Sequence, residues 1–174
     1  SVQSLNKSFF DNETTQSFWK QTSNMELFGN IKYIESEFYI HGSKMFQSWE
    51  SCTLVIQNIF LVCKRKKNLK LVDYINFDEH IYTIKVIQPN DYKYSTKYKH
   101  GFCIYANGRT YDFYCRDKAV LMKWIEQFRK FCVMTDFHEN YTVIEMLGIG
   151  GYGEVRLIQD KLSKMKRAGK FLKT

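Results

Sequence analysis

The sequence predicts a mostly β fold closed by one C-terminal helix, with a second, shorter β-segment after it. Three observations carry this. Aromatic residues make up 17% of the chain, and aromatic side chains suit a pleated, half-buried surface. From Leu27 to Cys115 apolar and polar residues alternate at the strand period, and after Asp117 the period becomes helical. Hydrophobic residues reach 44%, enough for a core.

The elements follow in order. Residues 1–26 are polar and short of aliphatics; they read as a linker or a short helix that docks Phe9, Phe10, Phe18 and Trp19. GNIKYIES (29–36) reads as a strand, followed by a polar loop holding His41 and Lys44. WESCTLVIQNIFLVCKRKK (49–67) holds two strands parted at Gln57-Asn58. KLVDYINF (70–77) and HIYTIKVI (80–87) are two more, and a polar loop runs from Gln88 to His100. GFCIYANGRTYDFYC (101–115) is a hairpin, because Asn107 and Gly108 both tolerate the positive φ of its turn. Asp117 is a helix N-cap, and Val120, Leu121, Trp124, Ile125, Phe128 and Cys132 recur on one face. Lys118, Lys123, Arg129 and Lys130 are expected on the other. Residues 27–134 thus form one domain of seven strands and a helix, 135–140 a connector, and 141–174 a separate β-segment.

Composition excludes several classes. The five cysteines form no C-x-x-C pair and lie mostly in strand patterns. They read as reduced, small hydrophobes, with no disulfide framework and no metal site. No apolar run approaches a membrane span, and the N-terminus lacks an apolar signal core, so the expectation is a cytoplasmic protein. Net charge is +8, and the excess sits mainly in residues 25–134, which carry 17 basic and 11 acidic groups. An anionic partner is expected there. It is not nucleic acid, because the bases lie in loops with no interleaved aromatic platform.

Seven strands capped by a helix with a central Trp124 resemble a pleckstrin-homology (PH) domain. The matching residues are Gly29, Ile31, Trp49, Leu54-Val55-Ile56, the Asn-Gly hairpin and Trp124. The resemblance implies a seven-stranded bent antiparallel barrel over 27–134 and a phosphoinositide or anionic-membrane partner. Lys32 and Lys44 would be the headgroup residues on the first-strand side. Cys52 stands where the family's binding form holds an Arg, which argues against high-affinity, headgroup-specific binding. The run Lys64-Arg65-Lys66-Lys67, after the third strand, offers a further basic surface, since each such residue near an anionic bilayer contributes about 1 kcal/mol.

LGIGGYGEV (147–155) places four glycines in six positions. Gly148-x-Gly150-x-x-Gly153-x-Val155, with Leu147 before it and Ala168-Gly169-Lys170 after it, is similar to the glycine-rich loop and nucleotide-binding lysine of protein kinases. The wording YGEVRL…DK…RAGK is most similar to calcium-dependent protein kinases of plants and protists. The resemblance implies ATP held by Leu147, Gly148, Ile149, Gly150, Gly151, Tyr152, Gly153, Glu154, Val155 and Lys170. Backbone N–H groups would approach the phosphates with no Cβ in the way. Gly169 replaces a larger apolar residue and is expected to loosen its strand.

The 174 residues contain no H-R-D-x-x-x-x-N, no D-F-G and no EF-hand loop. No catalytic residue is therefore expected in the chain. ATP and Mg belong to a longer parent enzyme, a Ser/Thr protein kinase with protein substrates. The PH-like domain would bring that kinase to a membrane peripherally. In the alternative reading it is a protein-interaction or autoinhibitory module acting on its own kinase domain, without specific lipid binding. Residues 141–174 are expected to fold poorly as a kinase lobe, because a two-stranded hairpin is marginal alone; if ordered, they should lean on the first domain or on a neighbouring copy.

Overall fold

The computed structural model describes residues 18–41, 48–68, 70–88 and 97–172. The structure is mostly β, and among the described residues one helix reaches seven residues or more. Strand β1 (Lys20–Thr22) precedes a 3₁₀ turn at Met25–Phe28. Then come β2 (Lys32–His41), β3 (Trp49–Gln57), β4 (Phe60–Arg65), β5 (Val72–Asn76), β6 (Thr83–Val86), β7 (His100–Ala106) and β8 (Arg109–Cys115). Helix α1 (Lys118–Phe131) leads to β9 (Val133–Met134) and a one-turn helix α2 (Phe137–Asn140). The chain finishes with β10 (Tyr141–Gly150), β11 (Gly153–Asp160) and β12 (Lys166–Leu172).

Among the described residues nine strands form one sheet in the order β1-β5-β4-β3-β2-β8-β7-β6-β9, and the last three form a second, β10-β11-β12. The seven expected strands are β2 to β8, and they are contiguous in that order. The expected barrel needs two corrections. β1 and β9 extend the sheet at its two ends, and the hydrogen-bonded order does not close. Nor is the sheet wholly antiparallel, since β9 runs parallel to β6.

Local chemistry explains the turns. The β3–β4 turn lies one residue beyond the expected Gln57-Asn58: Asn58 takes φ 49°, and its amide donates to the Phe28 carbonyl at 2.5 Å. That ties the turn to the 3₁₀ segment. Asn107 and Gly108 take φ 51° and 75°, as the β7–β8 hairpin requires. Asp117 caps α1 by accepting from the Ala119 N–H at 2.8 Å.

One core runs through both sheets. Phe38, Leu54, Ile56, Phe102 and Phe113 from the first sheet meet Trp124 and Phe128 of α1, and Tyr141 and Ile158 of the second sheet belong to the same cluster. The 141–172 segment forms a three-stranded sheet and packs on the first domain, the arrangement expected for the case in which it is ordered.

Of the two readings of residues 1–26, a linker or a docking helix, the docking of Phe18 and Trp19 holds, and residues 20–28 form a short strand and a 3₁₀ turn. Trp19 is buried and packs edge-on against Tyr111 and Phe113, and Phe18 packs on Tyr82. β1 then pairs with β5, and the Gln21 amide donates to Asp73 at 2.8 Å. Phe9 and Phe10 lie outside the described residues.

Trp19, expected to dock or to lie on a linker, is part of the core. Trp19→Ala should cost about 3–5 kcal/mol. A thermal melt should show this as a loss of roughly 10 °C for a domain of this size.

Candidate functional site

The glycine loop is the β10–β11 turn. Gly150 pairs with Gly153, leaving Gly151 and Tyr152 at the tip, and Tyr152 is 84% exposed. β12 pairs with β11 so that Val155 lies directly opposite Lys170, and Leu157 opposite Ala168. Directly opposed residues share a face of a sheet. Val155, Leu157, Ala168 and Lys170 thus stand on one face, the front, and Gly148 joins them as the β10 partner of Val155. The back face carries Arg156, Ile158, Asp160, Arg167, Gly169 and Phe171. It packs on the first domain, where Phe171 meets Phe137 edge-on at 5.3 Å.

The glycines divide by cause. A Cβ on Gly153 would lie 2.0 Å from the Phe171 carbonyl oxygen, and its φ is 149°, so only glycine fits. A Cβ on Gly169 would meet Ile158 at 3.3 Å. The small residue there admits the Ile158 side chain. At Gly148 and Gly151 a Cβ would meet nothing within 4 Å, and at Gly150 only the Gly153 carbonyl oxygen at 3.8 Å. Glycine inside a strand costs about 0.5–1 kcal/mol relative to alanine. The packing gives no reason for that cost at these positions.

Of the other residues expected to hold ATP, Leu147 and Ile149 are exposed by 52% and 71%. Glu154 is ion-paired to Arg156, whose guanidinium lies 5.4 Å over the Phe171 ring.

Two arginines and a carboxylate hold the back face down. Arg129 of α1 donates to Asp160 at 2.9 Å and to the Asn140 side chain at 2.7 Å. The Arg129 and Asp160 side chains are 7% and 0% exposed. Arg167 of β12 reaches the other way and donates to the carbonyls of Cys132 (2.8 Å) and Arg129 (2.9 Å). These are carbonyls that the end of a helix leaves without intrahelical partners. The Tyr141 hydroxyl accepts from the Met134 N–H at 2.8 Å. The sequence placed Arg129 on the solvent face of α1, and the structure corrects this. No local signal marked it, because Glu126 stands three residues before it, at the spacing of an exposed helical pair. Burial works against the Asp160 charge, but the Ser163 N–H, the Arg129 guanidinium and the Leu162 N–H together hold its carboxyl below the usual carboxylate range.

The basic residues do not gather as expected. Lys32 pairs in register with Gln57, whereas Arg65 pairs with Cys52, which itself opposes Phe38. Lys32 and Arg65 are thus separated by six residues along β2, about 20 Å of strand. Carboxylates also occupy much of the charge. Lys32 pairs with Glu35 at 3.3 Å and Lys66 with Glu37 at 3.0 Å. Arg65 makes a two-pronged contact with Glu50, at 2.9 and 2.5 Å. Donation by Lys66 and by Tyr39 lowers the Glu37 pKa. Lys64 is half-buried and Lys67 exposed. Lys44 lies outside the described residues. Cys52, where the resemblance expects an arginine, is fully buried and faces the core.

All five cysteines are free. Burial pushes the Cys115 thiol up to about 11 and raises Cys103 and Cys132 further. Cys63 is raised by its contact with Cys52 and by burial. They behave as small hydrophobes. No cluster of metal-ligating side chains occurs among the described residues, and no helix among them is long and apolar enough to cross a membrane. No family model and no curated protein matches the chain.

Gly153→Ala should lower stability by several kcal/mol, because a positive φ and a backbone clash act together. Gly151→Ala, in open space, should leave the melting temperature unchanged or raised. Asp160 has a folded pKa below its unfolded one. Its contribution is therefore present above the ordinary carboxylate pKa of about 4 and is lost as the pH falls through the folded value. Melts of the parent chain and Asp160→Asn should differ most near neutral pH and converge below about pH 4.

Proposed function

We propose that the chain is a regulatory portion of an ATP-dependent Ser/Thr protein kinase of the calcium-dependent type. Residues 27–134 are read as a PH-type domain and residues 141–174 as the first strands of the kinase domain. One observation carries the kinase reading. Gly148, Val155, Ala168 and Lys170 lie on one open face, beside a bare backbone at Gly148, Gly150 and Gly151 that the fold itself does not require. A nucleotide accounts for both. Val155 and Ala168 offer an apolar surface to a base, Lys170 offers a cation to the α- and β-phosphates, and the glycine N–H groups approach the phosphate oxygens. The front face fits the phosphate side of ATP, and Mg would arrive with the nucleotide. The chain carries no base to deprotonate a substrate hydroxyl, so it does not transfer a phosphoryl group by itself.

The PH reading draws support from the contiguous order of β2 to β8 followed by α1. The ion pairs at Lys32, Arg65 and Lys66 favour association with an anionic surface through a diffuse field over a specific headgroup pocket. Lys64, Lys67 and Lys70 would contribute most. The second reading, in which the first domain acts on its own kinase segment, is favoured by the buried contact of Arg129 with Asp160.

Amide shifts on titration with Mg-ATP test the kinase reading. Gly148 to Gly153 should move in the millimolar range, and Lys170→Met should weaken the effect. Unmoved loop amides, or equal shifts with the lysine removed, would sink it. Sedimentation with phosphatidylserine vesicles tests the membrane reading. Binding should exceed the phosphatidylcholine background at low salt and should vanish when residues 64–67 are changed to Glu. Binding no greater than background means that the domain serves another partner.

A further inference from the structure

The contact between α1 and the second sheet has an unusual form. Two arginines reach across it in opposite directions. Arg129 leaves the helix and ends on Asp160 and Asn140, and Arg167 leaves β12 and ends on two carbonyls at the helix terminus. Each bond is directional, and the Asn140 amide is fixed in turn by donating to the Thr135 carbonyl at 2.6 Å. Apolar packing alone tolerates sliding, whereas a buried ion pair fixes register. Asp160 is the last residue of β11, and Gly153 at the other end begins the glycine loop's return strand. β11 is central in its sheet, so it links the two ends as one continuous strand.

The contact lies wholly on the back face. On the front face Ala168 and Lys170 are exposed and Val155 and Leu157 partly so. Among the described residues the first domain therefore braces the hairpin from behind.

We propose that Arg129 is a positioning residue for the glycine loop. Through Asp160 it fixes the orientation of β11 against α1, so the first domain and the glycine hairpin move as one body. The geometry stands by itself, and its consequence for nucleotide handling rests on the kinase reading above. An event that shifts α1, such as docking of the first domain on a surface, would then be carried to the loop tip without a hinge.

Residual dipolar couplings on the whole 174-residue chain test this. In the parent chain, amides of β2 to β8 and of β10 to β12 should fit one alignment tensor. In Arg129→Met the couplings of β10 to β12 should shrink and need a separate tensor, while those of β2 to β8 stay as they were. Arg129→Lys keeps the charge for Asp160 and should recover part of the shared alignment. A role confined to stability would lower the melting temperature and leave one tensor, and that result overturns the proposal. So would two tensors in the parent chain. If Arg129→Met fails to fold, Asp160→Asn keeps the Oδ1 acceptor for the Leu162 and Ser163 N–H groups while removing the charge, and the same two outcomes decide. No nucleotide enters this measurement. A shared tensor lost on substitution, beside loop amides unmoved by Mg-ATP, would leave the brace standing and remove the kinase reading alone.

Discussion

The buried ion pair between Arg129 and Asp160 is the constraint on which the rest of the arrangement depends. Taking either charge out of water costs several kcal/mol, and removing one partner of such a pair costs about 3–5 kcal/mol because the other is left uncompensated. The pair is supported on both sides: the two terminal nitrogens of Arg129 donate to Asp160 and Asn140. Asp160 also accepts from the N–H groups of Leu162 and Ser163, at 2.9 and 2.8 Å, which closes the β11–β12 turn. One carboxylate thus caps a turn and anchors a sheet. Once it is placed, the back face of the hairpin must face α1 and the front face must face away. The exposure of Lys170 follows from a charge that lies on another strand.

The same constraint sorts the glycines. Gly153 and Gly169 serve the sheet, one admitting the β12 backbone and the other the Ile158 side chain. Gly148, Gly150 and Gly151 serve nothing within the fold. On the proposed reading, a loop that gives up side chains where they would meet empty space is shaped for a partner that approaches its backbone, and that partner is a phosphate chain. The cost of the glycines is then offset on binding and not on folding.

Much of the fold was legible because its signals are local. The period-two runs located β2 to β8, Asn107-Gly108 set one hairpin, and Asp117 set the start of α1. What escaped was non-local. β1 and β9 have three and two residues, too short for a period to register. Trp19 sits in a polar stretch whose composition reads as linker, and its burial depends on Tyr111 and Phe113 far along the chain. Arg129 was misplaced because helical periodicity assigns faces by hydropathy, and a buried guanidinium is apolar in position but not in kind. At the site, sequence spacing identified the loop and Lys170, and register alone put Lys170 opposite Val155. The basic residues show the converse. Counting charge suggested one patch, but Lys32 lies far along β2 from Arg65, and Glu35, Glu37 and Glu50 answer three of the cations.

That neutralisation bears on how the first domain could meet an anionic surface. A headgroup pocket needs cations that can give up their present partners at little cost. Arg65 holds Glu50 by two bonds in a half-buried position, and a phosphate would have to compete with a carboxylate already in place. Among the described residues Lys64, Lys67 and Lys70 form no ion pair, and they follow one another from the end of β4 into the turn after it. Charges so arranged attract a planar anionic surface through their summed field, which salt screens over about 8–10 Å at ordinary ionic strength. A field sets distance and tilt loosely. A rigid brace between α1 and the hairpin would make even a loose tilt effective, because the glycine loop would turn with whichever face the domain presents.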